Sequence, residues 1–297
     1  MNILISGATG LIGSALRSYL EQQGHQVYVL HRGRKSGSFF WQPEQGQIHL
    51  DENIHLDAVI NLNGVNIGDK PWNAARKKAL IDSRVQSTQL LSEAISKRFD
   101  PPQVLINASA IGFYGDTGDN TVDESSPSGN NFLSEIVTLW EAAAKPAQDA
   151  GIRTVFIRSG VVLSKQGGAL KKMLLPFKLG LGGNIGSGKQ YMSWISLSDE
   201  LRAIEFVLNQ THIHGPVNLV APEPVTNTEF TRTFGQVIKR PTLFPMPAFV
   251  VKILFGEMGE LLLLGSNRVI PSELTKHGFK FQHKDLTSAL SFELDRR

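Results

Sequence analysis

The stretch LISGATGLIG, residues 4–13, places glycines at 7, 10 and 13 directly behind an apolar run. Gly7 follows the predicted strand NILIS and is free to take a positive φ, which starts a tight turn. Gly10 leaves the backbone bare where a ligand could approach. Gly13, in the first turn of the next predicted helix, lets that helix lie close on the strand. A helix N-terminus adds unpaired N–H groups and a partial positive charge. The spacing is G-x-x-G-x-x-G rather than the tighter G-x-G-x-x-G. Placed between a strand and a helix, this turn is read as a cradle for the diphosphate of a dinucleotide, contacted by Gly7, Thr9, Gly10, Leu11, Ile12 and Gly13. The alternative is a strand–helix turn with no ligand.

The pattern behind the turn repeats. LIGSALRSYLEQQ reads as a helix with Leu11, Ile12, Ala15, Leu16, Tyr19 and Leu20 on one side, ended by Gly24. HQVYVL, LDAVINL, QVLINAS and RTVFIRSGVVL read as further strands, and AARKKALIDSRVQSTQLLSEAISKR and NFLSEIVTLWEAAAKPAQDAG as helices. Nearly all-apolar strands alternating with helices predict an α/β fold: a Rossmann-type, doubly wound parallel sheet. After about Leu163 the rhythm changes. LLPFKLGLGGNIGSGKQYMSWISLSDE reads as loop and irregular structure, GPVNLV as a late strand, and a helix is expected to start near Thr226 to Thr228. The expected division is a cofactor-binding domain over 1–236, with part of a substrate lobe inserted at about 166–192. A smaller, mostly helical C-terminal lobe covers 237–297.

Composition narrows the classes. The 30 Lys and Arg residues against 27 Asp and Glu are dispersed, which argues against a nucleic-acid partner. The absence of cysteine removes disulfides, thiolate metal sites and a cysteine nucleophile. His212 and His214, read as two residues on one strand face, are too few for zinc, and no structural metal is expected. The apolar stretch PAFVVKILFGEMGELLLLG is broken by Lys252, Glu257 and Glu260, so it is read as helices packed on a core, with no membrane partner. With no secretion signal visible at Met1–Ile5, the expected setting is the cytoplasm. The expected assembly is a monomer or homodimer.

The second strand ends YVLHRGRK. A site preferring NAD puts an acid there to hold the ribose hydroxyls, whereas this chain has Arg32, Arg34 and Lys35 and no acid before Glu44. That pattern predicts NADP(H), with Arg32 on the 2′-phosphate. A solvated basic loop is the alternative.

SGATGLIG, AVINLNGVNI, SAIGFYGD, WEAAA and RSGVVLSKQGGALKKMLLPFKLGLGGNIGSG together resemble the atypical extended short-chain dehydrogenase/reductases. More closely, they resemble the sugar-nucleotide-epimerase-like subgroup with a short C-terminal domain of unknown function. The likeness runs down to NRVIPSELTKHGFKF. It implies an NADP(H)-binding Rossmann domain and a small lobe closing over a substrate cleft. It also implies cofactor contacts at His31 and Arg32, at Leu62, Asn63 and Gly64 behind the third strand, at Arg84 on the following helix, and at Val162. The family more often has alanine where this chain has Asn63. Without the resemblance, Arg84 reads as a surface charge on an amphipathic helix.

Hydride-transferring relatives carry a Ser and a Tyr-x-x-x-Lys pair whose lysine lowers the tyrosine pKa. NASAIGFYG supplies Ser109, with Tyr114 as a substitute acid. The alternatives are a hydroxyl satisfied at a strand end and a ring packed beside the cleft. In the expected helix Phe132 and Ile136 stand where the pair belongs, and none of the four tyrosines precedes a lysine at that spacing. Asp123 and Glu124 read as solvated, Trp140 and Glu141 as packing the helix on the sheet, and Trp194 as a cleft wall. The glycine-dense segment with Lys189 and Gln190 is open to two readings, an anion-binding loop or a mobile surface loop. Two functions follow: an NADP(H)-dependent oxidoreductase or epimerase on a small, sugar-nucleotide-like substrate, or an NADPH-binding sensor without turnover.

Overall fold

The computed structural model describes residues 1–33 and 37–295. Arg34 and Lys35, two of the three basic residues of the second-strand loop, lie outside the described residues.

Six strands form the central sheet: β1 (Asn2–Ser6), β2 (Gln26–Val29), β3 (Ala58–Asn61), β4 (Val104–Ala110), β5 (Arg153–Ser159) and β6 (Gly215–Leu219). Their order is β6-β5-β4-β3-β1-β2, and every pairing is parallel. The strand order reverses at β1, so a crevice opens between the C-terminal ends of β1 and β3, where open α/β sheets take their ligands. Ile3, Ile5, Ile60, Ile106 and Ile157 feed one apolar layer and Leu4, Val59, Leu105 and Phe156 the other. Both faces of the sheet are therefore covered, as the unbroken apolar strands require.

The helices are α1 (Leu11–Gln22), α2 (Ala74–Ser96), α3 (Phe132–Ala142), α4 (Lys145–Asp149), α5 (Gly168–Lys178), α6 (Leu197–Asn209), α7 (Asn227–Ile238) and α8 (Ala248–Gly259). Two short helices, Ser272–Lys276 and Leu286–Asp295, complete the C-terminal part. Gly24 ends α1 in the left-handed region, at φ 85°, and Thr226 closes a capping box with Glu229 at the start of α7, both as the sequence indicates.

Several expectations are corrected. The single helix expected over 131–151 is two, α3 and α4, because Pro146 starts a new first turn. LLPFK is helical, with Pro176 inside α5. Residues 39–50 form a hairpin, Phe39–Gln42 antiparallel to Gln47–Leu50, that buries Phe39, Trp41 and Leu50. Trp194 is fully buried with Phe230 and Phe234 and is no cleft wall. His212 and His214 precede β6 instead of sharing a strand face; His212 meets the His277 ring at 2.9 Å. No cluster of three or more metal-ligating side chains exists among the described residues. PAFVVKILFGEMGELLLLG does not pack wholly on a core: Phe249, Ile253 and Leu254 of α8 are exposed.

Candidate functional site

The glycine turn is shaped by contacts within the chain at two positions and not at the third. Gly7 has φ 72°, and a Cβ there would lie 2.6 Å from the Leu62 carbonyl oxygen. A Cβ on Gly13 would lie 2.2 Å from the Gly7 carbonyl oxygen. These two glycines are demanded by the turn and by helix-on-strand packing. At Gly10 the nearest such atom is 3.4 Å away, an ordinary contact. Gly10 caps α1 with no side-chain partner, and the first turn carries no acid. Thr9, Leu11, Ile12 and the Gly10 backbone thus surround an uncapped N-terminus able to take an anion.

Leu62, Asn63 and Gly64 follow β3 directly against this turn. Asn63 Nδ2 donates to the Ser83 carbonyl at 3.1 Å, tying the segment to α2. At the next position of α2, the Arg84 side chain is buried against Gly64, and its guanidinium lies 5.0 Å from the Trp140 ring. Its described hydrogen bond goes to the Leu80 carbonyl at 3.0 Å, and no carboxylate faces it among the described residues. Burial, reinforced by the charge of Arg76, lowers its pKa to about 10. A buried arginine without an anion is costly. Arg84 is therefore no surface charge. Val162 completes the group from the segment after β5, within the same apolar layer as Ala8, Leu11 and Ile12.

The structure thus gathers Gly7 to Gly13, Leu62 to Gly64, Arg84 and Val162 around one crevice. His31 and Arg32 stand one strand over, exposed, past the end of β2. Arg32 is paired with Glu44, presented by the turn of the side hairpin.

Ser109 and Tyr114 lie in a buried polar network. Ser109 Oγ donates to Glu141 at 2.6 Å, and Glu141 holds Arg158 through two bonds of 2.8 Å. Arg158 Nη1 donates to the Tyr114 hydroxyl at 3.1 Å, which in turn donates to Asn218 Oδ1 at 2.8 Å. Burial pushes the Tyr114 phenol up to about 12, against the pull of Arg158. Two further expectations are corrected here. Glu141 is no packing residue but the anion of a buried ion pair. Glu124 is not solvated: Oε1 accepts the Asn218 and Glu273 N–H groups while Oε2 is buried without a partner, and burial raises its pKa. Sequence periodicity cannot show such pairings, because the partners come from strand ends far apart in the chain. A polar residue toward the C-terminal end of three apolar strands (Ser6 and Asn61 as the last residues of β1 and β3, Asn107 within β4) is the legible signal, and those three adjoin in register.

The α3 residue that covers the end of β4 is Leu133, 3.2 Å from where a Gly112 Cβ would stand. Phe132 instead meets Trp72 edge-on at 5.1 Å. Ile136 and Val137 are both buried. No side chain at these positions can carry a proton. Leu133 lines a cleft of about 270 Å³ together with Asp116, Asn131, Lys252, Glu260 and Asn267, between the start of α3 and the C-terminal helices. Lys189 and Gln190 stand apart from that lining; Gln190 Nε2 is tied to the Ile185 and Leu263 carbonyls.

At the end of β5, Ser159 donates to the fully buried Glu200 at 2.6 Å, whose other oxygen has no partner. Burial pushes Glu200 up to about 8. Its folded pKa exceeds the unfolded one, so the native state binds more protons between about pH 4.5 and 8, and stability falls as pH rises through that window. Glu200→Gln is expected to flatten that part of the stability–pH profile, read by urea unfolding at several pH values. An unchanged slope would count against it.

Comparison with known proteins agrees with the geometry. Residues 3–219 match the NAD dependent epimerase/dehydratase family, and residues 246–292 match a domain of unknown function, DUF1731. The chain belongs to the epimerase/dehydratase family of short-chain dehydrogenase/reductases. It is 45% identical over 296 residues to an epimerase family protein of Mycobacterium tuberculosis, covering 99% of this chain and 98% of that one. The crystal structure of human epimerase family protein SDR39U1 with NADPH matches at 37% identity and a TM-score of 0.90, covering all of both chains. A nucleoside-diphosphate sugar epimerase from Corynebacterium glutamicum matches at 34% identity and a TM-score of 0.80, over 99% of this chain and 58% of that one. The fold is the Rossmann-type α/β sheet expected, and the family is one that binds NAD(P).

Proposed function

We propose that the chain is an NADP(H)-dependent oxidoreductase or epimerase acting in the cytoplasm on a small, sugar-nucleotide-like substrate. The observation that carries the cofactor half is the buried guanidinium of Arg84, which has no carboxylate partner among the described residues and packs on Gly64, in the segment that follows Leu62 and Asn63 against the glycine turn. The space left at Gly10 fits a diphosphate, and SDR39U1, with which this chain shares its fold, was crystallised with NADPH. Gly7, Thr9, Gly10, Leu11, Ile12 and Gly13 would hold the diphosphate. His31 and Arg32 would hold the adenosine phosphate, and Leu62, Asn63, Gly64, Arg84 and Val162 the rest of the dinucleotide. When bound, that cofactor supplies hydride transfer. Residues 1–236 form the cofactor unit in this reading, with 166–192 and 237–297 contributing the lobe over the cleft.

Arg32 must leave Glu44 to meet a 2′-phosphate. Glu44→Gln removes the competing anion and is expected to strengthen NADPH binding by roughly two- to fivefold, the scale of an exposed ion pair, with little change for NADH. Calorimetric titration with both cofactors reads it; equal shifts for the two would remove Arg32 from the phosphate.

Ser109 and Tyr114 are proposed to serve the substrate at the end of β4, where Glu141, Arg158 and Asn218 fix their hydroxyls. A direct contact needs one of those bonds exchanged for a substrate oxygen. The residues replacing the Tyr-x-x-x-Lys pair support a second reading, an NADPH-binding module without turnover. Incubation with NADPH or NADP⁺ and a panel of nucleotide sugars and small carbonyls separates the two. Turnover that falls in Ser109→Ala and Tyr114→Phe supports the enzyme. Tight NADPH binding with no product from any compound supports the module.

A further inference from the structure

Eight of the thirteen exposed large apolar side chains among the described residues fall in three segments of the chain. Leu175, Leu179 and Leu181 at the end of α5, Leu243 and Phe244 after α7, and Phe249, Ile253 and Leu254 on α8 are all exposed, Leu243 and Ile253 by 77%. These stretches adjoin. Arg240 Nε donates to the Lys178 carbonyl at 2.9 Å, Phe244 N to the Gly182 carbonyl at 3.1 Å, and Met246 N to the Asn184 carbonyl at 2.8 Å, where α8 begins. Exposed apolar side chains gathered on adjoining segments mark an interaction site.

The charges say what covers it. Residues 166–186 and 237–256 contain Lys171, Lys172, Lys178, Lys239, Arg240 and Lys252 and no Asp or Glu. Lys172 and Lys252 are held by Asp69 and Glu260. Lys171, Lys178, Lys239 and Arg240 form no ion pair among the described residues, and the one carboxylate that shares a depression with Lys178 and Arg240 is that of Asp295. A second copy of this chain docked by the same face would set these cations against their own counterparts. We infer that this face seats the protein on an anionic lipid bilayer, its leucine and phenylalanine side chains entering the headgroup boundary and its lysines and arginine meeting lipid phosphates. Apolar side chains rimmed by cations are what an interfacial anchor requires. The anchoring is peripheral: no helix among the described residues is long and apolar enough to cross a membrane. It revises the expectation of no membrane partner, which rested on the absence of a spanning segment.

The test is sedimentation of the full chain with vesicles of phosphatidylcholine alone, or of phosphatidylcholine mixed with phosphatidylglycerol. The protein is expected to pellet with the anionic vesicles, to remain in solution with the neutral ones, and to be released by salt. Leu179→Ser/Phe249→Ser/Ile253→Ser and, separately, Lys178→Glu/Lys239→Glu/Arg240→Glu should each lower partitioning at least about tenfold, with NADPH affinity unchanged as the check on folding. Failure to pellet with anionic vesicles overturns the inference, as does pelleting that neither variant changes. So does light scattering that shows a dimer which the apolar variant splits.

Discussion

Replacing Arg84 with methionine is expected to weaken NADPH binding by about 10- to 100-fold while leaving the cofactor-free protein as stable as before or more so. The two halves have one origin. Burial holds the Arg84 pKa near 10, below its ordinary 12.5, so at every pH below about 10 the native state carries a charge its surroundings disfavour. Methionine fills much of the same space beside Trp140 without the charge. With an anion bound, the balance reverses, because a hydrogen bond to a charged group contributes about 1.5–3 kcal/mol. Calorimetric titration and thermal unfolding of the same sample read both halves. If the variant binds NADPH as tightly as the parent, Arg84 does not face the cofactor; if it loses stability instead, Arg84 belongs to the scaffold. Arg84→Lys should recover only part of the affinity, since an ammonium lacks the planar fork.

The strand–turn–helix at the N-terminus was legible because its constraints are local. Gly7 and Gly13 are fixed by contacts within residues 7–13 and with the adjoining Leu62, and the alternation of apolar strands with helices gives the sheet and its crevice without further information. What could not be read depends on pairing across the sheet. Glu141 reads, with Trp140, as packing its helix on the sheet until β5 brings Arg158 beside it. Glu124 reads as a loop carboxylate until the Asn218 and Glu273 N–H groups close over it. The hairpin at 39–50 is not legible because the turn residues of FFWQPEQGQIHL, Pro43 and Gly46, stand between two short runs of mixed polarity. The C-terminal helices misled in the opposite direction. An apolar stretch is ordinarily buried, and composition cannot tell a segment that packs on its own core from one that presents its face to something outside the chain.

The buried pair behind the cleft should give the largest stability effect in the molecule. Arg158 and Glu141 are almost wholly enclosed, with side-chain exposures of 4% and 13%, and the guanidinium lies 3.5 Å from the Phe113 ring centroid. Burial alone would lower the Arg158 pKa, but the Glu141 carboxylate outweighs it and the pKa is raised. Glu141→Leu leaves that cation enclosed without an anion and also removes the acceptor of Ser109, and it is expected to cost about 3–5 kcal/mol in urea unfolding. Glu141→Leu combined with Arg158→Met should recover most of the loss, because two apolar groups need no partner there. The comparison also separates scaffold from chemistry. If the double variant is stable yet inert toward substrate, while NADPH binding is intact, the pair serves the hydroxyls of Ser109 and Tyr114. If it is stable and as active as the parent, the network only joins α3 to the sheet, and the reacting groups must be sought among Asp116, Lys252 and Glu260 across the cleft. A loss below about 1 kcal/mol in the single variant, the scale of a surface pair, would mean that water reaches Arg158 and that this end of the cleft is open.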